Sequence, residues 1–150
     1  MKIINAFKDE YRFLSNFYPC VVEFEGIEYP STENAYQAAK TLNVIDRQLI
    51  AGLKAGEAKR MGRKVEIRKD WDSVKLQIME SLLRQKFSQT YFTFLLLQTE
   101  NAELVEGNYW HNNNNNNYGD CFCGKCKNVV GQNNLGKLLM KIREDLRNES

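Results

Sequence analysis

Pro30-Ser31-Thr32-Glu33-Asn34-Ala35-Tyr36-Gln37-Ala38-Ala39-Lys40 is the stretch on which the fold turns. It reads as a helix entry. Ser31 or Thr32 can cap the first free backbone amides, and Pro30 stops the helix from starting earlier. Glu33 then falls in the first turn, at the positive end of the helix dipole, where a carboxylate stays ionised on a rigid element. Ala35, Ala38 and Ala39 are small enough for another segment to approach closely. Tyr36 and Lys40 share a face four residues apart, and Gln37 lies one turn after Glu33. Taken alone, a first-turn Glu is usually no more than a dipole partner. The rest of the chain decides whether it is more.

A length of 150 residues fits one domain, 1–150, with a sizeable core. The chain is 43% hydrophobic and 27% charged, with a formal charge of +2. That balance is ordinary for a soluble protein and too neutral to announce a nucleic-acid binder. No apolar run is long enough to span a membrane, and the N-terminus lacks a signal-peptide pattern, so a cytoplasmic location is the default. Cys121, Cys123 and Cys126 are bunched, which in a reducing compartment favours free thiols or metal over disulfides. Three thiolates with His111 would complete a four-ligand structural zinc site. The alternative is three loop cysteines without metal. Cys20 is a second candidate for the fourth ligand, although a buried small hydrophobe is its commoner role.

The patterning predicts a mainly helical α+β fold with a small hairpin. Residues 2–7 read as a short edge strand. Val21–Phe24 and Ile27–Tyr29 flank Glu25-Gly26 as a hairpin that feeds the Glu33 helix. Asp46 is expected to cap a second helix reaching about Lys54 and closed by Gly56. A short helix over Glu57–Met61 stops at Gly62. Asp70 or Asp72 opens a long helix to about Phe87, with Trp71 at its start and Leu76, Met79, Leu83 and Phe87 as its buried stripe, Ile78 and Leu82 beside them. Tyr91–Leu97 reads as a short buried helix, and Leu104–Gly107 as a brief strand or turn. Asn133 caps the last helix. Its Leu135, Leu138, Leu139, Ile142 and Leu146 face inward, and Lys137, Lys141, Arg143, Glu144 and Arg147 face water. Gly131 and Gly136 allow close approach near its positive end, a seat suited to phosphate.

Lys59, Arg60, Arg63, Lys64, Arg68 and Lys69 place six cations within eleven residues. Such a cluster is commonly a solvated face. It can also be a pyrophosphate socket, since Arg binds oxygens in pairs, or a phosphate-contacting nucleic-acid surface.

Several further stretches join the Glu33 helix in order and spacing: Phe13-Leu14-Ser15-Asn16-Phe17-Tyr18-Pro19, Arg68-Lys69-Asp70-Trp71, Leu104-Val105-Glu106, Tyr118-Gly119-Asp120 and Gly131-Gln132-Asn133-Asn134-Leu135-Gly136. From about Phe13 to Leu146 the chain resembles the NADAR family, which is associated with NAD and ADP-ribose and includes the YbiA-type N-glycosidases. The resemblance implies a YbiA-like helical fold and an N-glycosidase. It implies that Ser15, Asn16 and Phe17 line the ligand pocket and that Trp71 stands beside a catalytic Glu33. Tyr36, Lys40, Arg63, Asn112, Tyr118 and Asn134 are the other candidate contacts to substrate. Family members carry an acid where this chain has Asn112, at the start of a run of six Asn. An Asn holds water but cannot act as a base. Either Asp120 takes that role, or the enzyme is slower, or the protein only binds.

Cleaving a ribose C–N bond passes through an oxocarbenium-like transition state, which a fixed carboxylate can steady while it activates water. No metal is required for that hydrolysis. The resemblance points to ADP-ribose joined to guanine, alone or in nucleic acid. Its alternatives are phosphoribosyl intermediates of riboflavin synthesis, or ADP-ribose or NAD bound without turnover. A pyrophosphate-bearing ligand suits the basic cluster better than one with a single phosphate. If the guanine lies in DNA, it must be reached in a single strand or flipped out.

Overall fold

The computed structural model describes residues 2–106 and 133–149. Its contacts divide into two units, one of Asn16–Gln89 and the other of Met1–Ser15 with Thr90–Ser150. The elements are mainly helical, with one small antiparallel hairpin. Among the described residues, no helix is long and apolar enough to cross a membrane.

In the unit Asn16–Gln89, strands β2 (Pro19–Phe24) and β3 (Ile27–Ser31) pair antiparallel, with Val22 opposite Tyr29 and Phe24 opposite Ile27. Their two-residue turn has positive φ at both Glu25 and Gly26, the left-handed geometry that suits the twist of paired strands. β3 then runs directly into α1 (Thr32–Ala39). Ser31 is the cap: its backbone is extended and its Oγ accepts from the Asn34 amide at 3.0 Å. Every residue of α1 is buried. Ala35, Ala38 and Ala39 have no exposed surface, and their small side chains let α2 (Val44–Ala51), α3 (Ala55–Met61), α4 (Trp71–Ser88) and both hairpin strands close around the helix.

α2 (Val44–Ala51) corrects the expected bounds. Asn43, not Asp46, is its cap, its Oδ1 accepting from the Asp46 amide at 3.0 Å. Asp46 lies inside the first turn, and the helix stops at Gly52 rather than Gly56. The chain breaks there because Lys54 begins the next helix, its amide donating to Glu57 Oε1 at 2.9 Å. α3 (Ala55–Met61) therefore starts two residues early and ends at Gly62 as read.

α4 (Trp71–Ser88) follows Asp70, but the Asp70 carboxylate does not cap it. It accepts a fork from Arg68 at 2.7 and 3.1 Å instead. That pairing holds the Asp70 carboxyl below the usual range and raises Arg68 above its own. The buried stripe runs Trp71, Lys75, Met79, Leu82, Leu83, Lys86 and Phe87. Leu76, expected inside, is 47% exposed. The row of every fourth residue from Trp71 sets the face, and Leu76 sits about 100° off it while Lys75 sits on it. Burial pushes the Lys86 ammonium down to about 8 from 10.5.

In the other unit, β1 (Ile3–Ile4) pairs in parallel with β4 (Glu103–Leu104). A 3-10 helix over Asp9–Leu14 buries Phe13 and Leu14, and it packs on α5 (Thr90–Gln98). α5 is less buried than expected: Phe92 and Leu96 are inside, whereas Tyr91 and Phe94 are each 59% exposed. α6 (Asn134–Glu149) buries Leu135, Leu139 and Ile142, with Leu138 and Leu146 half-buried. Arg143 was expected in water but is buried, donating to Thr99 Oγ1 at 2.8 Å. Asn133 stands at the cap position, its carbonyl accepting from the Lys137 amide at 2.9 Å, but its side chain bridges to β4. At positive φ, its Nδ2 donates to the Leu104 carbonyl at 2.9 Å while its Oδ1 accepts from the Glu106 backbone amide at 3.1 Å. A Cβ at Gly136 would lie 2.0 Å from the Leu104 carbonyl oxygen, so only glycine lets α6 approach β4 this closely.

Candidate functional site

The unit Asn16–Gln89 buries a polar face on α1. Glu33, Tyr36, Gln37 and Lys40 follow one another at helical spacing on α1, and all four are buried. The backbone fixes the first of them twice: the Ser31 cap orders the turn, and the Glu33 amide donates to the Asn16 carbonyl at 3.0 Å. Asn34 holds the helix from behind. Its Nδ2 donates to the Ile50 and Leu53 carbonyls, both at 2.8 Å, and its Oδ1 accepts from Ser31 Oγ at 2.5 Å.

The Glu33 side chain keeps 8% of its surface exposed. Its Oε2 accepts from Gln37 Nε2 at 2.6 Å, and among the described residues no cation pairs with it. Gln37 is in turn held against α3's end. A Cβ on Gly62 would fall 1.8 Å from Gln37 Oε1, so the absence of a side chain there makes the room Gln37 occupies. Among the described residues, Gln37 Oε1 is buried without a hydrogen-bond partner, and so is Asn16 Oδ1, whose amide nitrogen meets the Met79 sulfur at 3.5 Å.

Trp71 reaches α1 through the turn before α4. The Arg68 amide donates to the Lys40 carbonyl at 2.7 Å, and the Trp71 amide donates to the Arg68 carbonyl at 3.2 Å. The Trp71 and Tyr36 ring centroids are then 5.0 Å apart, tilted by 54°. Lys40 Nζ lies 6.0 Å from the Tyr36 ring centroid. The structure thus gathers Asn16, Glu33, Tyr36, Lys40 and Trp71 around one short helix. A fixed carboxylate and an electron-rich indole can each oppose a developing positive charge.

Other expected residues stand apart or differ. Phe17 is 41% exposed and lies under Lys59 Nζ, 5.9 Å from the ring centroid. Arg63 is exposed and directly follows Gly62. Arg60 and Lys64 line an open depression of about 450 Å³ with Asp46, Glu57, Met61 and Val65, where two acids offset two bases. Arg68 is committed to Asp70. Ser15 ends the 3-10 helix and Asn134 begins α6, both in the other unit. Cys20 is buried and free, its Sγ 3.7 Å from Thr32 Oγ1. No cluster of metal-ligating side chains occurs among the described residues. His111, Asn112, Tyr118, Asp120, Cys121, Cys123 and Cys126 lie outside them.

Sequence reading missed Gly62 as a contact. It noted that Gln37 shares the face of Glu33, and the spacing of four was the available signal. Gly62 read only as a helix stop, because a cradle across two helices leaves no local mark.

The NADAR domain model matches residues 4–147. The chain belongs to the NADAR family. This NADAR chain is 39% identical to the N-glycosidase YbiA of Escherichia coli, over 96% of its own length and 88% of that protein's. It is 34% identical to an N-glycosidase of Nostoc punctiforme, over 92% of the chain and 87% of the relative. The NMR structure of E. coli YbiA superposes with a TM-score of 0.81 at 35% identity, covering 99% of the NADAR chain and 86% of that structure. A riboflavin biosynthesis protein of Vibrio vulnificus is 33% identical, but the chain spans only 36% of its length. The enzyme class follows from these relatives: the NADAR chain is an N-glycosidase, a hydrolase of N-glycosyl bonds.

Proposed function

We propose that the bond cleaved joins ADP-ribose to guanine, and that Glu33 is the carboxylate facing the anomeric carbon. The observation behind this reading is a buried carboxylate that no cation among the described residues neutralises, anchored on a capped helix and held by Gln37 through one oxygen. As the C–N bond breaks, its electron pair leaves with the base and positive charge grows on the ribose. Glu33 opposes that charge and accepts a proton from the attacking water. Water's oxygen bonds to the anomeric carbon, the departing base takes up one proton from solvent, and Glu33 returns to solvent the proton it accepted, so that the sum is one water consumed. Trp71 and Tyr36 bound the sugar and keep bulk water out, so that the fixed charge acts in a poorly screened environment. Asn16 Oδ1 is an unused buried acceptor suited to an N–H of the base or a ribose hydroxyl. Arg63 and Lys64 directly follow Gly62, which lies against Gln37, and are exposed cations that we assign to a pyrophosphate. Asp120 is the proposed second acid, and Asn112 and Tyr118 the proposed further contacts. The hydrolysis drawn uses no metal, and a zinc held by His111, Cys121, Cys123 and Cys126 would be structural.

Incubation with ADP-ribosylated guanosine, followed by chromatography of the released nucleoside or base, tests the reading. Turnover in the wild type that is lost in Glu33→Gln, with ligand affinity kept, supports it. Binding without release, equal in both proteins, would instead make the chain a recognition module, the reading that Asn112 favours. Likeness to a riboflavin biosynthesis protein supports a second substrate class, phosphoribosylamino intermediates with a single phosphate. Release from such a compound but not from the ADP-ribosylated one would select it.

A further inference from the structure

Gln37 poses a problem of energetics. It sits 3% exposed on a fully buried helix, and its Oε1 has no hydrogen-bond partner among the described residues. A buried unsatisfied acceptor is destabilising, and a methionine of similar shape would avoid the penalty. The other end of the same amide donates to Glu33 Oε2 at 2.6 Å. Gly62 leaves the space in which Oε1 rests, and any Cβ there would collide with it at 1.8 Å. One strained polar arrangement on α1 therefore depends on a glycine at the end of α3.

We propose that Gln37 is a positioning residue for the Glu33 carboxylate, and that Gly62 is its seat. This rests on the reading of Glu33 as the reacting carboxylate. The Gln37 N–H fixes one Glu33 oxygen and so sets which way the other oxygen points. Fold stability gains little from this, because the orphaned Oε1 offsets the bond. The sequence keeps a locally unfavourable group where orientation of a reacting atom needs it.

Three variants separate positioning from packing. Gln37→Met fills the same volume without the N–H, so it is expected to lower kcat about 10- to 100-fold with KM within a factor of two and no fall in thermal midpoint. Gly62→Ala should lower kcat similarly by expelling the amide. In a Gln37→Ala background, where only the 3.3 Å contact to the residue-37 Cβ remains, Gly62→Ala should have little further effect. Additive losses, or a Gln37→Met enzyme with unchanged kcat, would overturn the proposal.

A readout without substrate keeps it distinct from the choice of substrate. The Gln37 side-chain amide resonances, identified by their absence in Gln37→Met, should move strongly in Glu33→Gln and in Gly62→Ala. Resonances that ignore both changes overturn the positioning role. Responsive resonances in a wild type that leaves ADP-ribosylated guanosine intact would instead count against the proposed substrate.

Discussion

α1 and α6 are built on opposite plans. α6 buries Leu135, Leu139 and Ile142 and turns Lys137, Lys141 and Glu144 to water, so its periodicity announces which side is inside. α1 buries all eight of its residues, although Thr32, Glu33, Asn34 and Gln37 are polar. In α6 transfer of apolar surface holds the helix in place. In α1 the same task falls to alanines that allow close contact and to amides that satisfy backbone groups of neighbouring elements. The difference shows where the chain gives up apolar burial, and Glu33 lies at that place.

The sharpest way to break the comparison is Glu33→Gln. It should cost about 10³-fold in turnover while leaving the thermal midpoint near that of the wild type, because shape and the Gln37 contact are retained. A fall in stability as large as the fall in rate would make Glu33 a structural group. Next come two truncations that should weigh alike despite unlike chemistry. Asn34→Ala strands the Ile50 and Leu53 carbonyls and the Ser31 hydroxyl, and about 2–4 kcal/mol of stability should go with them. Leu139→Ala should remove about the same by leaving a cavity. Denaturant unfolding of both variants checks this; an Asn34→Ala penalty under about 1 kcal/mol would show that hydrogen bonding does not carry α1.

The smallest expected effect concerns Lys86, and its sign is unusual. Burial lowers its folded pKa to about 8, against 10.5 for a free lysine. Below pH 8 both folded and unfolded chains carry the proton, and the fold bears the full penalty of a buried ammonium. Between about 8 and 10.5 the unfolded chain keeps the proton while the folded one releases it, so this group adds stability as pH rises. Lys86→Met should therefore be more stable than wild type by about 1 kcal/mol at pH 7, a few degrees in Tm. That advantage should shrink as pH rises through the same window. A constant difference between pH 7 and 10 would rule out the titration.

How far the sequence could be read depended on the range of the forces involved. Hairpin, α1 entry, the Trp71 start of α4 and the α6 stripe were all visible, because caps, turn glycines and periodicity act within one turn or strand. The family resemblance brought Asn16, Glu33, Tyr36, Lys40 and Trp71 together as candidates, and the structure places them around α1. Lys75 and Lys86 were hidden by their charge, although they sit at the spacing of Met79 and Phe87. Arg68 looked free for phosphate until Asp70, two positions on, proved to hold it. Asn133 was legible as a cap, but cap residues also make good side-chain bridges, and only the tertiary neighbour β4 reveals that second use.

That bridge has a consequence for evolution. Glu106 and Asn133 touch although 27 positions separate them, so they act as a clasp closed on itself. Residues can be gained or lost between the two without displacing either post. The chain-closure penalty grows only with the logarithm of the span, about 0.6 kcal/mol for each doubling. In sequence, the run Asn112–Asn117 falls between those two posts.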